Sequence, residues 1–284
     1  MQEQRTHVRL TRTAVAIMLL CMAVWGIVSC AGATAPRRAD DLRIALLCNT
    51  NPESPFGRLS PKVSATFDRI KKENPLFMVH LGNMIYGGHE WMGIKASDIS
   101  GQFNEFFAAS ARAQTILYTT RGALDGFNDS PEPYILHSGR QNYYSFNYGN
   151  CHFIVLDTSD PEPCHVSEKQ LQWLTLDLKR YRDCPAIFVI AHHPLLPPRA
   201  VRLAENGICA DGGRVMALLS KYPVKAVISA GAAVNNNEYR DGVRHIIAGC
   251  GGFNKSDAMS RAYNYYMLEY AGGVVTVSGQ RLDP

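Results

Sequence analysis

The chain lacks most of the short signatures that would name a chemistry outright. It has no Cys-x-x-Cys pair, which excludes a compact zinc knuckle. It has no Gly-x-Ser-x-Gly elbow and no P-loop, so neither an exposed serine nucleophile nor a glycine cradle for nucleotide phosphates is encoded. Lysine and arginine form no cluster. The formal charge is only +4, and Arg5, Arg9, Arg12 and Glu3 at the very start account for half of it. That excludes nucleic acid as a partner. No internal repeat or low-complexity segment is present. What remains is ordinary globular material, 46% hydrophobic and 19% charged over 284 residues, enough for one large domain.

The first part of the chain reads as a targeting segment. A basic stretch up to Arg12 precedes the apolar run Ala14 to Val28, which is too short and too one-sidedly flanked for an ordinary spanning helix. The run closes on Ile27-Val28-Ser29-Cys30. A small residue directly before a cysteine resembles a bacterial lipobox, with Val28 bulkier than is usual at its position. The resemblance implies cleavage before Cys30 and lipidation of its thiol. Residues 1–29 are then a lipoprotein signal peptide and 30–40 a tether. Acyl chains on Cys30 would hold the protein to a bacterial membrane, because each buried methylene contributes roughly 0.8 kcal/mol. An ordinary signal peptide cut near Ala31–Ala35 and a retained anchor helix are the alternatives. Lipidation or an ordinary signal peptide places the chain outside the cytoplasm.

Beyond Cys30 stand Cys48, Cys151, Cys164, Cys184, Cys209 and Cys250. An oxidising compartment permits disulfides. Cys164, Cys184 and Cys209 fall in loops or at element ends and are the better disulfide candidates. Cys48, Cys151 and Cys250 fall in strand-like runs and read as buried thiols.

From residue 41 onward, apolar runs alternate with helical spacing. Leu42 to Cys48 reads as a strand, Pro61 to Asn74 as a helix, Phe77 to Leu81 as a strand. A helix follows from Ser97 or Asp98 to about Arg112, then a strand over Thr115 to Thr120. This pacing predicts βαβ units and a parallel sheet. Next come a hairpin turned at Tyr148-Gly149-Asn150, a helix capped by Ser167, and a strand over Ala186 to Ile190. A helix over Arg214 to Ser220 and strands over Val224 to Ser229 and Arg244 to Ala248 follow. A final hairpin spans Tyr263 to Ser278. Asn235-Asn236-Asn237 reads as a polar loop. The prediction is one α/β domain over 41–284.

The stretch organising this domain is Phe77 to Gly88, FMVHLGNMIYGG. A buried strand that stops at glycine presents its turn at the carboxyl edge of the sheet, where open α/β sheets bind ligands. Asn83 is there either a turn-former or a site residue. His80, inside the apolar run, reads as a core histidine. The stretch resembles the calcineurin-like metallophosphoesterases, especially their purple-acid-phosphatase-like branch, which carry His-Leu-Gly-Asp-x-x-Tyr here. Ser167 to Leu174 resembles the family's Ser-x-x-Gln-x-x-Trp-Leu helix, and Phe153 to Thr158 the strand before it. The resemblance spans nearly the whole mature chain and implies a four-layer αββα sandwich. It also implies a hydrolase with two metal ions, which would activate water and clamp a phosphoryl group.

The ligand positions implied by that resemblance are largely rewritten. Asn49 and Asn51 stand where the first Asp and His belong, and Asn83 stands for the bridging Asp. Ala123 and Leu124 replace the Asn ligand and the catalytic His. Ala232 and Val234 replace the two later histidines. His192 survives, Tyr86 keeps the place of the iron-ligating tyrosine, and Asp125 keeps a supporting position. Neutral amides cannot bridge two cations as a carboxylate does, and Ala, Leu and Val offer no lone pair. The expectation is a binding pseudo-enzyme with no cofactor. Its partners would be a small polar or anionic ligand, or an envelope protein. The rival is a metal-dependent phosphoesterase with one divalent or ferric ion held by His192, Tyr86, Asp125 or His89. A third reading is a structural envelope component without a ligand. His193 follows His192 directly and so faces away from it.

Overall fold

Two β-sheets lie face to face, each covered on its outer side by helices, in a computed structural model. The structure describes residues 41–199, 207–231, 234–249, 251 and 264–282. The expected signal peptide, Cys30 and the tether lie outside the described residues, as do Ala232 and Cys250.

The first sheet is built from β1 (Leu42–Leu47), β2 (Met78–His80), β3 (Leu117–Thr119), β12 (Tyr265–Ala271) and β13 (Val274–Gln280), in the order β13-β12-β1-β2-β3. The second contains β4 (Tyr144–Tyr148), β5 (Cys151–Val155), β8 (Ala186–Ile190), β9 (Val224–Ser229), β10 (Asn236–Arg240) and β11 (Val243–Ile247), in the order β10-β11-β9-β8-β5-β4. In the first sheet β1, β2 and β3 run parallel and the antiparallel hairpin β12-β13 closes one flank. In the second, β5, β8, β9 and β11 run parallel, with antiparallel β4 and β10 on the two flanks. A short pair, β6 (Ser159–Asp160) and β7 (His165–Val166), stands apart.

The layers follow from side-chain periodicity. On α1 (Pro61–Glu73), Val63, Phe67 and Ile70 fall on one face and are buried, and Pro61 starts the helix where no N–H partner is needed. With α2 (Ala96–Ser110) and α3 (Glu132–Ser138), α1 covers the outer face of the first sheet. On the other side, α4 (Glu168–Arg180) and α5 (Gly212–Leu219) cover the second. The αββα sandwich expected from the resemblance is present.

Between the sheets lies an aromatic seam. Phe77 meets Tyr118, Phe146, Tyr148 and Phe153 with ring centroids 5.2–5.7 Å apart. Burial of each such ring contributes roughly 1.5–3 kcal/mol.

Several expectations need correction. The second helix starts at Ala96, one or two residues before its expected cap at Ser97 or Asp98; Asp98 serves the cap from inside the helix by accepting the Lys95 N–H at 2.8 Å. The helix α3 was not expected, because two prolines, Pro131 and Pro133, frame its start. Asn236 and Asn237 are not loop but open the edge strand β10, whose polar faces suit a flank with one side in water. Cys164, Cys184 and Cys209 are thiols, and Cys48 is in a disulfide whose partner lies outside the described residues. Cys48 is buried as expected, but it ends β1 at the sheet edge, with its sulfur 3.3 Å from the Ala248 carbonyl. A contact across 200 residues leaves no local trace in sequence.

Candidate functional site

The parallel strands β1, β2, β3, β5, β8 and β9 all release their turns at one edge. Backbone bonds lace these turns together: Asn49 N–H donates to Gly82 O at 3.1 Å, Asn51 N–H to Asn83 O at 3.2 Å, and Thr120 N–H to His80 O at 2.9 Å. The approach is close enough to demand glycine. A Cβ on Gly82, at φ +95°, would sit 2.5 Å from His192 Nδ1, and one on Gly122 would sit 2.3 Å from Asn83 N.

Asn83 is both things the sequence left open. Its φ of +59° is the left-handed turn conformation that asparagine tolerates. Its side chain also joins three turns: Nδ2 donates to Asn49 Oδ1 at 3.1 Å, and Oδ1 accepts the Leu124 N–H at 3.0 Å. Asn49 shares the left-handed conformation, at φ +51°. Asn51 turns its amide back to the Pro52 carbonyl at 3.2 Å.

Asp125 sits beneath these turns with no exposure. Its two oxygens accept four backbone N–H groups, from Asn83, Met84, Ile85 and Gly122, at 2.7–3.2 Å. Burial pushes its pKa up to about 6, and the four donors oppose that rise. The carboxylate is committed to holding the Gly82-Asn83 turn.

His192 donates Nδ1–H to the Leu81 carbonyl at 2.6 Å, a bond from the second sheet's turn to the first's. Burial holds its pKa down to about 3, with His193 adding to the effect. His193 turns to Thr158, but it does not face away from His192 as expected: the chain has left β8 here, and the two rings meet edge to face with centroids 4.8 Å apart. His80 is a satisfied core histidine: it donates Nε2–H to Thr50 Oγ1 at 3.0 Å and accepts the Gly82 N–H on Nδ1 at 3.2 Å. Its pKa falls to about 3 through burial, with a smaller effect of His192.

The donor set at this edge does not fit a cation pair. Asn49 and Asn83 satisfy each other, the Asp125 oxygens are spent on backbone donors, and Leu124 and Val234 have no lone pairs in their side chains. Among the described residues no three His, Cys, Asp or Glu side chains converge as a metal group would require. The histidine and carboxylate offered for a one-metal site are separated by role. Tyr86 and His89 line a cleft that His192 and Asp125 do not reach.

That cleft, about 610 Å³, opens beside the turns. Tyr86, His89 and Met92 form one wall, Ala123 and Leu124 the floor, and Ser159 to Pro163 the other wall. Arg121 also lines it, but its charge is met from below. Nε lies 2.9 Å and Nη2 2.8 Å from Asp157 Oδ2, and Nη2 also bonds the Ser159 carbonyl. Gln170 fixes Asp157 in turn, accepting its N–H and donating to its carbonyl, both at 2.9 Å. This is the physical work of the glutamine in the Ser167–Leu174 segment.

Sequence reasoning missed Ser159, Glu162 and Asp129 on the cleft, since nothing local marks a loop as a wall. It also missed Asn235. The amide oxygen of Asn235 accepts the Gly249 N–H at 3.0 Å and the Tyr266 hydroxyl, joining the turns after β9 and β11 to β12.

No family model matches this chain, and no curated protein does. Solved structures do. A dimetal phosphatase from Danio rerio aligns over 84% of this chain and 98% of its own, with TM-score 0.61 and 13% identity. The purple acid phosphatase PPD1 from yellow lupin (Lupinus luteus) seeds aligns over 87% of this chain and 53% of its own, with TM-score 0.60 and 16% identity. GAP50, the anchor in the inner membrane complex of Plasmodium, aligns over 86% of this chain and 90% of its own, with TM-score 0.57 and 16% identity. These likenesses show a calcineurin-like metallophosphoesterase fold.

Proposed function

We propose that this chain is an extracytoplasmic lipoprotein that uses a metallophosphoesterase fold for binding rather than hydrolysis. The observation that carries the reading is the Asn49–Asn83–Leu124 bond network, which occupies with neutral amides the space where the resemblance implies bridging carboxylate and metal. Unneutralised cations in such a half-buried site would be very costly. Without two cations there is neither an activated water nor a clamp for a phosphoryl group. GAP50, which shares the fold, is the anchor in the inner membrane complex of Plasmodium, and this supports a binding role for the fold. Lipidated Cys30 would hold the domain to a bacterial membrane, with the cleft facing the envelope space.

Metal analysis of the purified full chain, paired with turnover of a chromogenic phosphate ester, tests the reading. The expected result is metal well below one ion per chain and no turnover with added manganese, iron or zinc. Stoichiometric metal together with turnover lost in His192→Ala would replace it with a one-metal hydrolase. Metabolic labelling with a fatty acid tests the anchor, and the label is expected to disappear in Cys30→Ala.

A further inference from the structure

We propose that the cleft beside the rewritten turns binds a neutral carbohydrate, with Trp91 as its stacking platform. The proposal rests on the binding reading above and names the ligand class for the same edge of the fold.

The volume, about 610 Å³, is that of a small-molecule site. Its charge selects against anions. Arg121 is neutralised by Asp157, while Asp129 and Glu162 stand exposed at the rim. A phosphate or carboxylate entering here would meet like charge, with no unpaired cation lining the cleft among the described residues. A hydroxyl-rich ligand meets good acceptors, because each carboxylate takes hydrogen bonds from several O–H donors.

Between the lining residues His89 and Met92 stands an aromatic side chain that the interior does not need. Trp91 is 81% exposed, the most exposed of the chain's large hydrophobic side chains described here. It is stacked on His89, a cleft residue, at 5.6 Å between ring centres and 26° between planes. The indole is thus steadied on one face and open on the other. A pyranose presents a face of C–H groups with partial positive charge, which packs on the negative face of an aromatic ring. Met92 and Leu124 add apolar surface for the same ring carbons. Ser159 lines the cleft, and its buried Oγ has no hydrogen-bond partner among the described residues. A ligand hydroxyl placed against Ser159 would supply one.

The test is calorimetric titration of the full chain, in detergent, with neutral di- and trisaccharides. Phosphorylated and uronic-acid counterparts and a lysine-rich peptide serve as comparisons. Neutral sugars are expected to bind saturably, with phosphorylated counterparts weaker by about tenfold. Trp91→Ala, a surface change, should leave the melting temperature unchanged and weaken binding by about tenfold. Glu162→Gln should weaken it a few-fold. No binding by any neutral sugar, tighter binding of the charged forms or the peptide, or full binding by Trp91→Ala would each overturn the proposal. None of these outcomes touches the binding reading itself, which falls only if stoichiometric metal and turnover appear.

Discussion

Asn83 and Asn49 hold each other across two strand ends, with Nδ2 of the first 3.1 Å from Oδ1 of the second. Two neutral side chains here tie together the turns after β1 and β2. Asn83→Ala removes this bond, strands the Leu124 N–H and loses a residue suited to a positive φ. The loss of stability should be about 1–3 kcal/mol, read from the urea midpoint at unchanged slope. A chelator should leave the midpoint of the unaltered protein where it was.

Acid should weaken the fold early. His80 and His192 are held near a pKa of 3 and His193 near 4, against an ordinary 6.5, so the unfolded chain takes up protons that the native state refuses. Their contribution is complete above pH 6.5 and declines as pH falls from there toward 3–4. Asp125, raised to about 6, acts in the opposite sense: it takes up a native proton as pH falls below about 6. Asp157, also raised by burial, opposes the histidines in the same direction. The three histidines outnumber these two carboxyls, so the net effect is a loss of stability on acidification. Urea midpoints between about pH 7.5 and pH 5.5 should fall accordingly, and His80→Gln should flatten the slope by up to one proton.

Gly82 admits no side chain. Its φ is +95°, and an added Cβ would lie 2.5 Å from His192 Nδ1 and 2.7 Å from the Gly122 backbone. Gly82→Ala should destabilise by about 3 kcal/mol or more. Gly93→Ala, at φ +79° but with nothing within 4 Å, should cost less, about 1 kcal/mol. Equal losses in the two variants would show that backbone strain, not the clash, sets the value.

Cys48 should be found oxidised. Peptide mapping without reductant should place it in a disulfide, with half-buried Cys184 alkylated first and the buried Cys151, Cys164 and Cys209 alkylated only after unfolding. Reduction should lower stability by about 2–4 kcal/mol, the usual effect of closing a loop. Recovery of all the cysteines as alkylated thiols without reductant would contradict this.

The strands that build both sheets were readable because burial on both faces leaves continuous apolar runs, as in Leu42–Leu47 and Ala186–Ile190. Edge strand β10 was not, because Asn-Asn-Glu-Tyr-Arg satisfies a flank that water also touches. At the site, the residue types at the turns were readable one by one. Their bonds were not: the Asn83 amide bridge and the Asp125 cluster depend on distances between turns about 40 residues apart. The cleft walls escaped for the same reason, since Glu162 and His89 become neighbours only after the sheets stack.

The ring cluster around Phe77 is formed by strands and by the residue entering β2, not by the turns that follow β1, β2 and β3. Cohesion between the layers is therefore independent of whatever chemistry the rim carries. The residues at the rim could therefore change while the sandwich beneath it stayed shut, because no ring of this cluster belongs to those turns.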